Sequence, residues 1–339
     1  MQKKIVSLII FLVAATFFGG LMSGCSFLMP ETPDYEIETP SVPLAQSAPL
    51  VQIDTLAQID TSFVIPVPDA PGILRESNDQ AFIDHSNKHN GYVTVGFLGS
   101  TDKMLKVLIL APCTKEYVYN LEPGSSEVFP LTSGDGLYTI SVHEHHEENV
   151  FRDILVVTID VKLKSEFAPF ISPSQFVNYC KDDQITAKAI ELRTEGNNFI
   201  SMVEAIFSFV TENISYDYEL AKKIGDGYKP DLDTVLKRGS GICLDIATLT
   251  TAMLRSQGIP AKLVIGNYYD PNSGNIYHAW VSVFSEYDGK IGDHTYFTGG
   301  TWNILDPTIA AVLGAGTQGI TDAVYTAGSG SIYQAMYYY

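Results

Sequence analysis

Basic residues, tryptophan and cysteine are all scarce in this 339-residue sequence. Its 21 lysines and arginines are outnumbered by 39 acidic residues, so the formal net charge is −18. Nucleic acid and anionic lipid headgroups repel so acidic a chain, and we expect neither as a specific partner. The length allows two domains of ordinary size, and the 45% hydrophobic fraction is that of a globular protein.

Long apolar runs are also scarce, and the clearest one is Ile5–Met22, which follows Lys3 and Lys4. Small residues then precede Cys25 in the string LMSGC. A basic head, an apolar segment and a small-residue cleavage site predict a signal peptide over residues 1–24. The string resembles a bacterial lipoprotein box, which implies a lipid on Cys25 and an anchor on the extracytoplasmic face of the cell membrane. An uncleaved anchor is the alternative, because such a run can just span a bilayer core.

With Cys25 lipidated, three thiols remain, namely Cys113, Cys180 and Cys243. An odd number outside the cytoplasm predicts a thiol that is free and reactive or paired between chains. Cys113 and Cys180 can form a disulfide, or both can be small buried side chains. The sequence leaves these alternatives open, and Cys243 needs its own explanation.

Composition divides the rest of the chain into three parts. The string PETPDYEIETPSVPLAQSAP has no basic residue and little apolar surface to bury, which predicts a disordered tether over residues 25–78. Residues 79–168 hold short strings rich in β-branched and aromatic residues, such as MLKVLILAP and DILVVTIDVKL, separated by turn signals. This pattern predicts an antiparallel, immunoglobulin-like β-sandwich. Helical spacing mixes with strands over residues 169–339, which we assign to a second domain.

Three histidines, His143, His145 and His146, lie among acids in the string HEHHEE. Imidazole and carboxylate suit Zn²⁺ or Ni²⁺, and alternation along a strand places His143 and His145 on one face. Without further ligands, a solvated hairpin edge is the better interpretation. We therefore predict no metal site.

Cys243 lies in the string GSGIC and opens an apolar run with helical spacing that ends near Gly258 and Pro260. We predict an amphipathic helix with Cys243 in its first turn. The positive end of the helix dipole there stabilises a thiolate, which is the nucleophilic form of the side chain. A lone cysteine at a helix start is more often part of a core, so its partners decide its role.

Two later strings supply candidate partners. The strand pattern of YHAWV places His278 and Trp280 on one face, and in WNILDPT Asp306 lies at a strand end before Pro307. His278 can accept the thiol proton and return it to a leaving group. Asp306 can fix the imidazole tautomer and stabilise its charged form.

The strings GSGICLDIATLTTAMLRSQGIPAKLVIG, YHAWV and WNILDPT together resemble the transglutaminase-like superfamily. The resemblance implies an α+β, papain-like core with Cys243 as nucleophile, His278 as base and Asp306 as orienting acid. It implies no cofactor. In a looser likeness, EVFPLTSGDGLYTISVHE resembles the β-module that precedes this core in some secreted bacterial proteins.

Supporting residues are assigned from their expected positions. The Cys243 N–H at a helix start is one oxyanion donor, and Tyr216 or Trp280 is the candidate for a side-chain donor. Asp245 is expected to support the helix start electrostatically. The tyrosines of the closing string IYQAMYYY are interpreted as core-capping residues.

The sequence thus predicts an exported thiol enzyme that acts on amide bonds of a protein or a cell-wall peptide. If water resolves the thioester, the enzyme is a peptidase or amidase, which we favour; if an amine does, it is a cross-linking acyltransferase. The alternative is a catalytically inactive binding or structural lipoprotein of the cell surface. An enzyme requires a reactive thiolate that depends on His278, whereas a scaffold has an inert thiol.

Overall fold

The computed structural model describes residues 9–10, 60, 62–148, 150–193, 198–225, 227–270, 274–291, 295–313 and 332–339. The predicted lipidation site Cys25 and most of the predicted signal peptide and tether lie outside these residues. The predicted α+β class is confirmed, with a β-rich region that precedes a mixed region of helices and strands. Within the described ranges, no helix is long and apolar enough to cross a membrane.

Two antiparallel sheets make up the β-rich region. The smaller sheet contains, in spatial order, β2 (Arg75–Ser77), β3 (Ala81–Asp84), β4 (Tyr92–Phe97) and β7 (Ser126–Pro130). The larger sheet contains β1 (Ile9–Ile10), β9 (Val150–Val161), β8 (Gly136–Glu147), β5 (Leu105–Ala111) and β6 (Lys115–Leu121). Inward residues of both sheets, among them Val95, Val107 and Ile140, are buried in one shared core. The immunoglobulin-like β-sandwich stays a prediction, since this same cluster also contains residues of the mixed region.

Ordered chain begins before the predicted end of the tether. Strand β2 pairs with β3, so that Arg75 lies opposite Asp84. The Gly72 N–H donates to Asp84 Oδ2 at 2.6 Å, and the Asn87 side-chain amide donates to Asp69 Oδ1 at 2.6 Å. The predicted boundary is therefore too late, because these hydrogen bonds hold a segment whose composition alone indicates disorder.

The mixed region contains six helices within the described residues. They are α1 (Gln184–Glu191), α2 (Phe199–Asn213), α3 (Tyr218–Ala221), α4 (Leu232–Arg238), α5 (Cys243–Ser256) and α6 (Pro307–Leu313). Asp183 and Asn198 begin α1 and α2, and each side chain accepts the backbone N–H three residues further on. These two caps divide one helical sequence pattern into two helices.

A four-stranded antiparallel sheet packs beside these helices. Its strands, in spatial order, are β16 (Thr301–Leu305), β13 (Gly274–Ser285), β12 (Ala261–Asp270) and β17 (Tyr333–Tyr338). Two short pairs complete the described strands, namely β10 (Ser215–Tyr216) with β11 (Ser240–Gly241) and β14 (Gly289–Ile291) with β15 (Thr295–Phe297). In this four-stranded sheet, Leu305 of β16 lies opposite Val281 of β13. Because the two strands are antiparallel, Asp306 follows β16 in the direction of the part of β13 that contains His278.

Helix α5 begins at Cys243 and ends at Ser256, before Gly258, as predicted. Its predicted amphipathic character is wrong, since every residue from Asp245 to Ser256 is buried. Helices α1, α2, α4 and α6 and strands β12 and β13 surround it. The buried hydroxyls of Thr250 and Thr251 donate at 2.8 Å to the carbonyls four residues earlier, which makes their burial tolerable.

Candidate active site

Cys243 is a half-buried free thiol at the N-terminus of α5. The parallel pair β10–β11 leads into this turn, with Tyr216 opposite Gly241. Because Cys243 is the first residue of the helix, its backbone N–H has no intrahelical acceptor. This N–H and the helix dipole can together stabilise negative charge beside the thiol.

His278 is buried on β13 and donates from Nε2 to Asp306 Oδ2 at 2.8 Å. A second hydrogen bond joins the side chains of His278 and Cys243. Since Nε2 is engaged by the carboxylate, Nδ1 is the nitrogen that faces the thiol. The structure thus brings the three predicted residues together from α5, β13 and the end of β16.

Opposing effects determine the charge of His278. Burial alone lowers its pKa, but the charge and hydrogen bond of Asp306, followed by those of Cys243, raise the pKa to about 10. The imidazolium is therefore the stable form at neutral pH. A neighbouring imidazolium favours the thiolate over the thiol, so the arrangement suits a nucleophilic cysteine.

Asp306 accepts hydrogen bonds on both carboxylate oxygens. Oδ1 accepts the N–H groups of Thr308 and Ile309 at the start of α6, each at 3.1 Å. Oδ2 accepts from His278 and also from the hydroxyl of Tyr333 at 2.9 Å. The sequence predicts core-capping tyrosines in the closing string, and the contact of Tyr333 with Asp306 is not predicted. No local pattern points to it, because only the folded sheet brings β17 to Asp306.

Asp245 is fully buried in the first turn of α5. Its Oδ2 accepts the Ile242 N–H at 3.0 Å, and its Oδ1 accepts the Tyr228 hydroxyl at 2.8 Å. Burial raises the pKa of Asp245, although both hydrogen bonds oppose this rise. A Cβ at Gly241 would lie 2.6 Å from the Asp245 Cβ, so this carboxylate requires glycine there. These contacts fit the predicted support of the helix start, and the Tyr228 partner is not predicted from the sequence.

Tyr216 lies on β10 next to the nucleophile. Burial raises its pKa, and the charge of Cys243 is the second cause. The phenol is therefore within electrostatic range of the thiol. Together with the Cys243 N–H, it can donate to an oxyanion that forms on a carbonyl bound there.

Trp280 lies on a different side of the histidine. It is buried in a small cluster with Val264 and Tyr333. The Trp280 ring centroid is 4.9 Å from that of Tyr333. It is 6.1 Å from that of His278, and the planes of the Trp280 and His278 rings are inclined by 24°. These contacts assign Trp280 to support of the imidazole, which leaves Tyr216 as the better candidate for the oxyanion donor.

The HEHHEE string lies on β8 and is not a uniformly solvated edge. His146 is exposed, but His143 is fully buried, with Nε2 at 2.7 Å from Ser141 Oγ and Nδ1 at 3.0 Å from Asp153 Oδ1. The predicted solvation is therefore wrong for His143, because β9 supplies a carboxylate partner. Among the described side chains, no group of three or more metal-ligating residues is arranged to hold an ion.

Cys113 and Cys180 are both free and exposed. The disulfide and the pair of buried thiols were the two alternatives, and both are wrong. Cys113 lies in the turn between β5 and β6, and Cys180 precedes α1. Among the described cysteines, Cys243 is the one that is hydrogen-bonded to a histidine.

Comparison with known proteins gives one partial match to a curated relative. A stretch of 145 residues is 32% identical to UPF0252 protein MJ1282 of Methanocaldococcus jannaschii. The match covers 39% of this chain and 39% of that protein. The chain thus spans about two fifths of the length of this relative.

Solved structures give more distant likenesses. A Cytophaga hutchinsonii protein provisionally assigned as a cysteine protease is 16% identical, with a TM-score of 0.36, over 73% of this chain and 83% of that one. Red sea bream transglutaminase is 13% identical, with a TM-score of 0.28, over 64% of this chain and 47% of that one. At these TM-scores, the assignment of a family rests on the sequence.

Residues 186–307 match the family model described as the transglutaminase-like superfamily. The matched segment contains Cys243, His278 and Asp306, together with α5, β12, β13 and β16. This part of the chain is therefore similar to the core of the transglutaminase-like superfamily.

Proposed function

We propose that this chain is an exported, membrane-anchored thiol enzyme that acts on amide bonds of a protein or a cell-wall peptide. The observation that carries the proposal is the hydrogen-bonded order of Cys243, His278 and Asp306. Acyl transfer by a thiol requires a nucleophile, a base that takes and returns its proton, and a group that orients the base. These three side chains have the chemistry and the contacts for those roles.

In the first step, the Cys243 thiolate attacks the amide carbonyl carbon and forms a C–S bond. The carbonyl oxygen becomes an oxyanion, to which the Cys243 N–H and the Tyr216 hydroxyl donate. The C–N bond then breaks, and the leaving amine takes the proton of the His278 imidazolium. A thioester on Cys243 and a neutral imidazole remain, and Asp306 holds the imidazole in the tautomer that presents Nδ1 to the thiol.

In the second step, water attacks the thioester carbon while neutral His278 takes its proton. The C–S bond breaks, the acid product leaves, and the thiolate and imidazolium are restored. An amine in place of water gives a new amide and thus a cross-link. We favour hydrolysis, because half-exposed Cys243 is open to water, whereas transfer needs a second bound substrate.

The location follows from the start of the sequence. A signal peptide over residues 1–24 and a lipid on Cys25 would tie the folded part of the chain to the extracytoplasmic face of the membrane. Proteins and cell-wall peptides are the amide substrates present there. The net charge of −18 also disfavours nucleic acid as a partner.

The test is the rate of iodoacetamide alkylation of Cys243 against pH. It is measured on the full-length protein with Cys113→Ser and Cys180→Ser, so that the exposed thiols do not contribute, and again with His278→Ala. We expect fast alkylation well below the pKa of about 8.5 of an ordinary thiol, and loss of this fast reaction in His278→Ala. Release of amine from peptide amides then measures turnover.

The opposite result is equally clear. Slow alkylation that rises only at alkaline pH and is the same in both proteins contradicts an enzyme. It would indicate a catalytically inactive lipoprotein that binds a partner at the cell surface.

A further inference from the structure

Tyr333 of β17 places its hydroxyl next to the carboxylate of Asp306, which orients His278. The Tyr333 hydroxyl donates to Asp306 Oδ2 at 2.9 Å, and His278 Nε2 donates to the same oxygen at 2.8 Å. Tyr333 lies outside the residues 186–307 that match the superfamily, so that match assigns it no role.

The contacts of Tyr333 hold its hydroxyl in place. Its ring lies 4.9 Å from the Trp280 ring and 5.1 Å from the Tyr268 ring, and only 9% of the residue is exposed. Gly266 of β12 allows β17 to approach, since a Cβ there would clash with the Gln334 carbonyl oxygen. Packing against the Trp280 and Tyr268 rings thus positions the hydroxyl.

The charge of the network is also defined. Burial raises the pKa of Tyr333, and the negative charge of Asp306 raises it further, so the phenol stays a proton donor. Among the described residues, the titratable groups that face His278 and Asp306 are Cys243 of α5, Tyr268 of β12 and Tyr333 of β17. Tyr333 is therefore the one that donates a hydrogen bond to the oxygen shared with the imidazole.

Two donors on one oxygen divide its negative charge between them. An oxygen that already accepts from a phenol stabilises an imidazolium less than one that accepts from the imidazolium alone. We propose that Tyr333 is a positioning residue that holds the Asp306 carboxylate and limits the basicity of His278. This inference rests on the proposed thiol function, in which His278 must both give up and take a proton.

The proposal has a direction. If the His278 imidazole is less basic, its imidazolium form gives its proton more readily to the leaving amine. The ring is then also more often neutral when water attacks the thioester. Tyr333→Phe keeps the ring but removes the hydroxyl that donates to Asp306 Oδ2. More of the negative charge on this oxygen then acts on His278. The pKa of His278 should then rise, and turnover should fall several-fold while the pH at which turnover begins moves upward.

The first test does not depend on catalysis. The His278 Cε1 proton is followed by NMR against pH in Cys243→Ala, with and without Tyr333→Phe, and is assigned by its loss in His278→Gln. We expect the titration midpoint to move upward by about half a pH unit. Tyr338→Phe is the matched control, since it removes a hydroxyl from the other end of β17, where the ring lies over Lys262, and should leave the midpoint unchanged.

A second variant covers the case in which Tyr333→Phe does not fold. A fluorotyrosine placed at position 333 keeps the hydroxyl and makes it a stronger donor, so the His278 midpoint should move downward. Shifts in opposite directions support the proposal, and an unchanged midpoint in the folded variants overturns it. If the midpoint shifts but the Cys243 thiol proves inert, the inference about Tyr333 stands and the proposed enzyme fails.

Discussion

Two buried histidines in this protein each contact an aspartate, but the fold gives them opposite tendencies to carry charge. His143 lies in the β8–β9 hairpin beside Asp153, at 3.0 Å. His278 lies beside Asp306, at 2.8 Å, in the segment that matches the transglutaminase-like superfamily. Burial lowers the pKa of His143 more than Asp153 raises it, whereas the partners of His278 raise its pKa to about 10.

The exposure of the carboxylates accounts for much of this contrast. The Asp153 side chain is 25% exposed, and the Asp306 side chain is 1% exposed. Water screens the first carboxylate, but the second acts on its histidine through a dry interior, where Coulomb interactions are stronger. Cys243 adds a second partner that favours the charged form of His278, whereas the hydroxyl of Ser141 carries no charge. In this protein, the histidine that favours its charged form is the one whose aspartate is buried and whose ring has a further hydrogen-bonded partner, Cys243.

The largest expected difference between the pairs is in thiol chemistry. His278→Gln should lower amide turnover and Cys243 alkylation at neutral pH by about 10²- to 10⁴-fold, because the general acid and base is lost. His143→Gln should leave both unchanged, since His143 lies on β8 of the β-rich region, whereas Cys243 begins helix α5 of the mixed region. Alkylation of the two variants at pH 7 measures this. An equal loss in both would show that the hairpin histidine controls the site.

Stability should separate the two aspartates next. Asp306→Asn removes a buried charge that faces an imidazolium and should lower the free energy of unfolding by about 3 kcal/mol. Asp153→Asn removes a partly exposed charge that faces a neutral histidine and should cost about 1 kcal/mol or less. Urea unfolding of both variants at pH 7 measures the difference. Equal losses would contradict the assignment of charge to His278 alone.

The pH dependence of stability should have opposite signs for the two histidines. Between pH 6.5 and about 10, folded His278 holds a proton that the unfolded chain has released, so its contribution is full below 6.5 and is lost as pH rises through 10. His143, with its lowered pKa, contributes fully above 6.5, and its contribution is lost as pH falls below that value. Urea unfolding of the wild type and each His→Gln variant, from below pH 6.5 up to about pH 10, measures both slopes. Slopes of the same sign would break the comparison.

Much of the site could be predicted because its signals are local. Cys243 precedes an apolar run with helical spacing, His278 lies in an alternating strand, and Asp306 precedes a proline at a strand end. Residues close in sequence determine where α5 begins and where the strands end. The structure places these boundaries where the sequence pattern indicates. The order of the three motifs also carried the resemblance to the superfamily.

The rest could not be predicted because it depends on elements that meet only in the folded chain. Tyr333 reaches Asp306 through the position of β17, and Tyr228 reaches Asp245 from the segment before α4. His143 is buried beside Asp153 of β9, where the register between β8 and β9 shifts after Val142. Helix α5 is buried on every side because helices distant in sequence cover the face that would otherwise meet solvent.

The smallest effects are expected at Cys113 and Cys180, the two exposed thiols. They serve as a reference for Cys243, the described cysteine that is hydrogen-bonded to a histidine. Cys113→Ser and Cys180→Ser should each change the free energy of unfolding by less than about 0.5 kcal/mol, because both residues are exposed and neither is in a disulfide. In a protein with Cys243→Ala, Cys113 and Cys180 should react with iodoacetamide at pH 6 far more slowly than Cys243 does in the wild type, because among the described cysteines Cys243 is the one hydrogen-bonded to a histidine. Mass spectrometry of each alkylated peptide against pH measures this. Rapid reaction of either thiol at pH 6 would show that exposure and local turn geometry suffice for reactivity, and that a buried His–Asp pair is not what distinguishes Cys243.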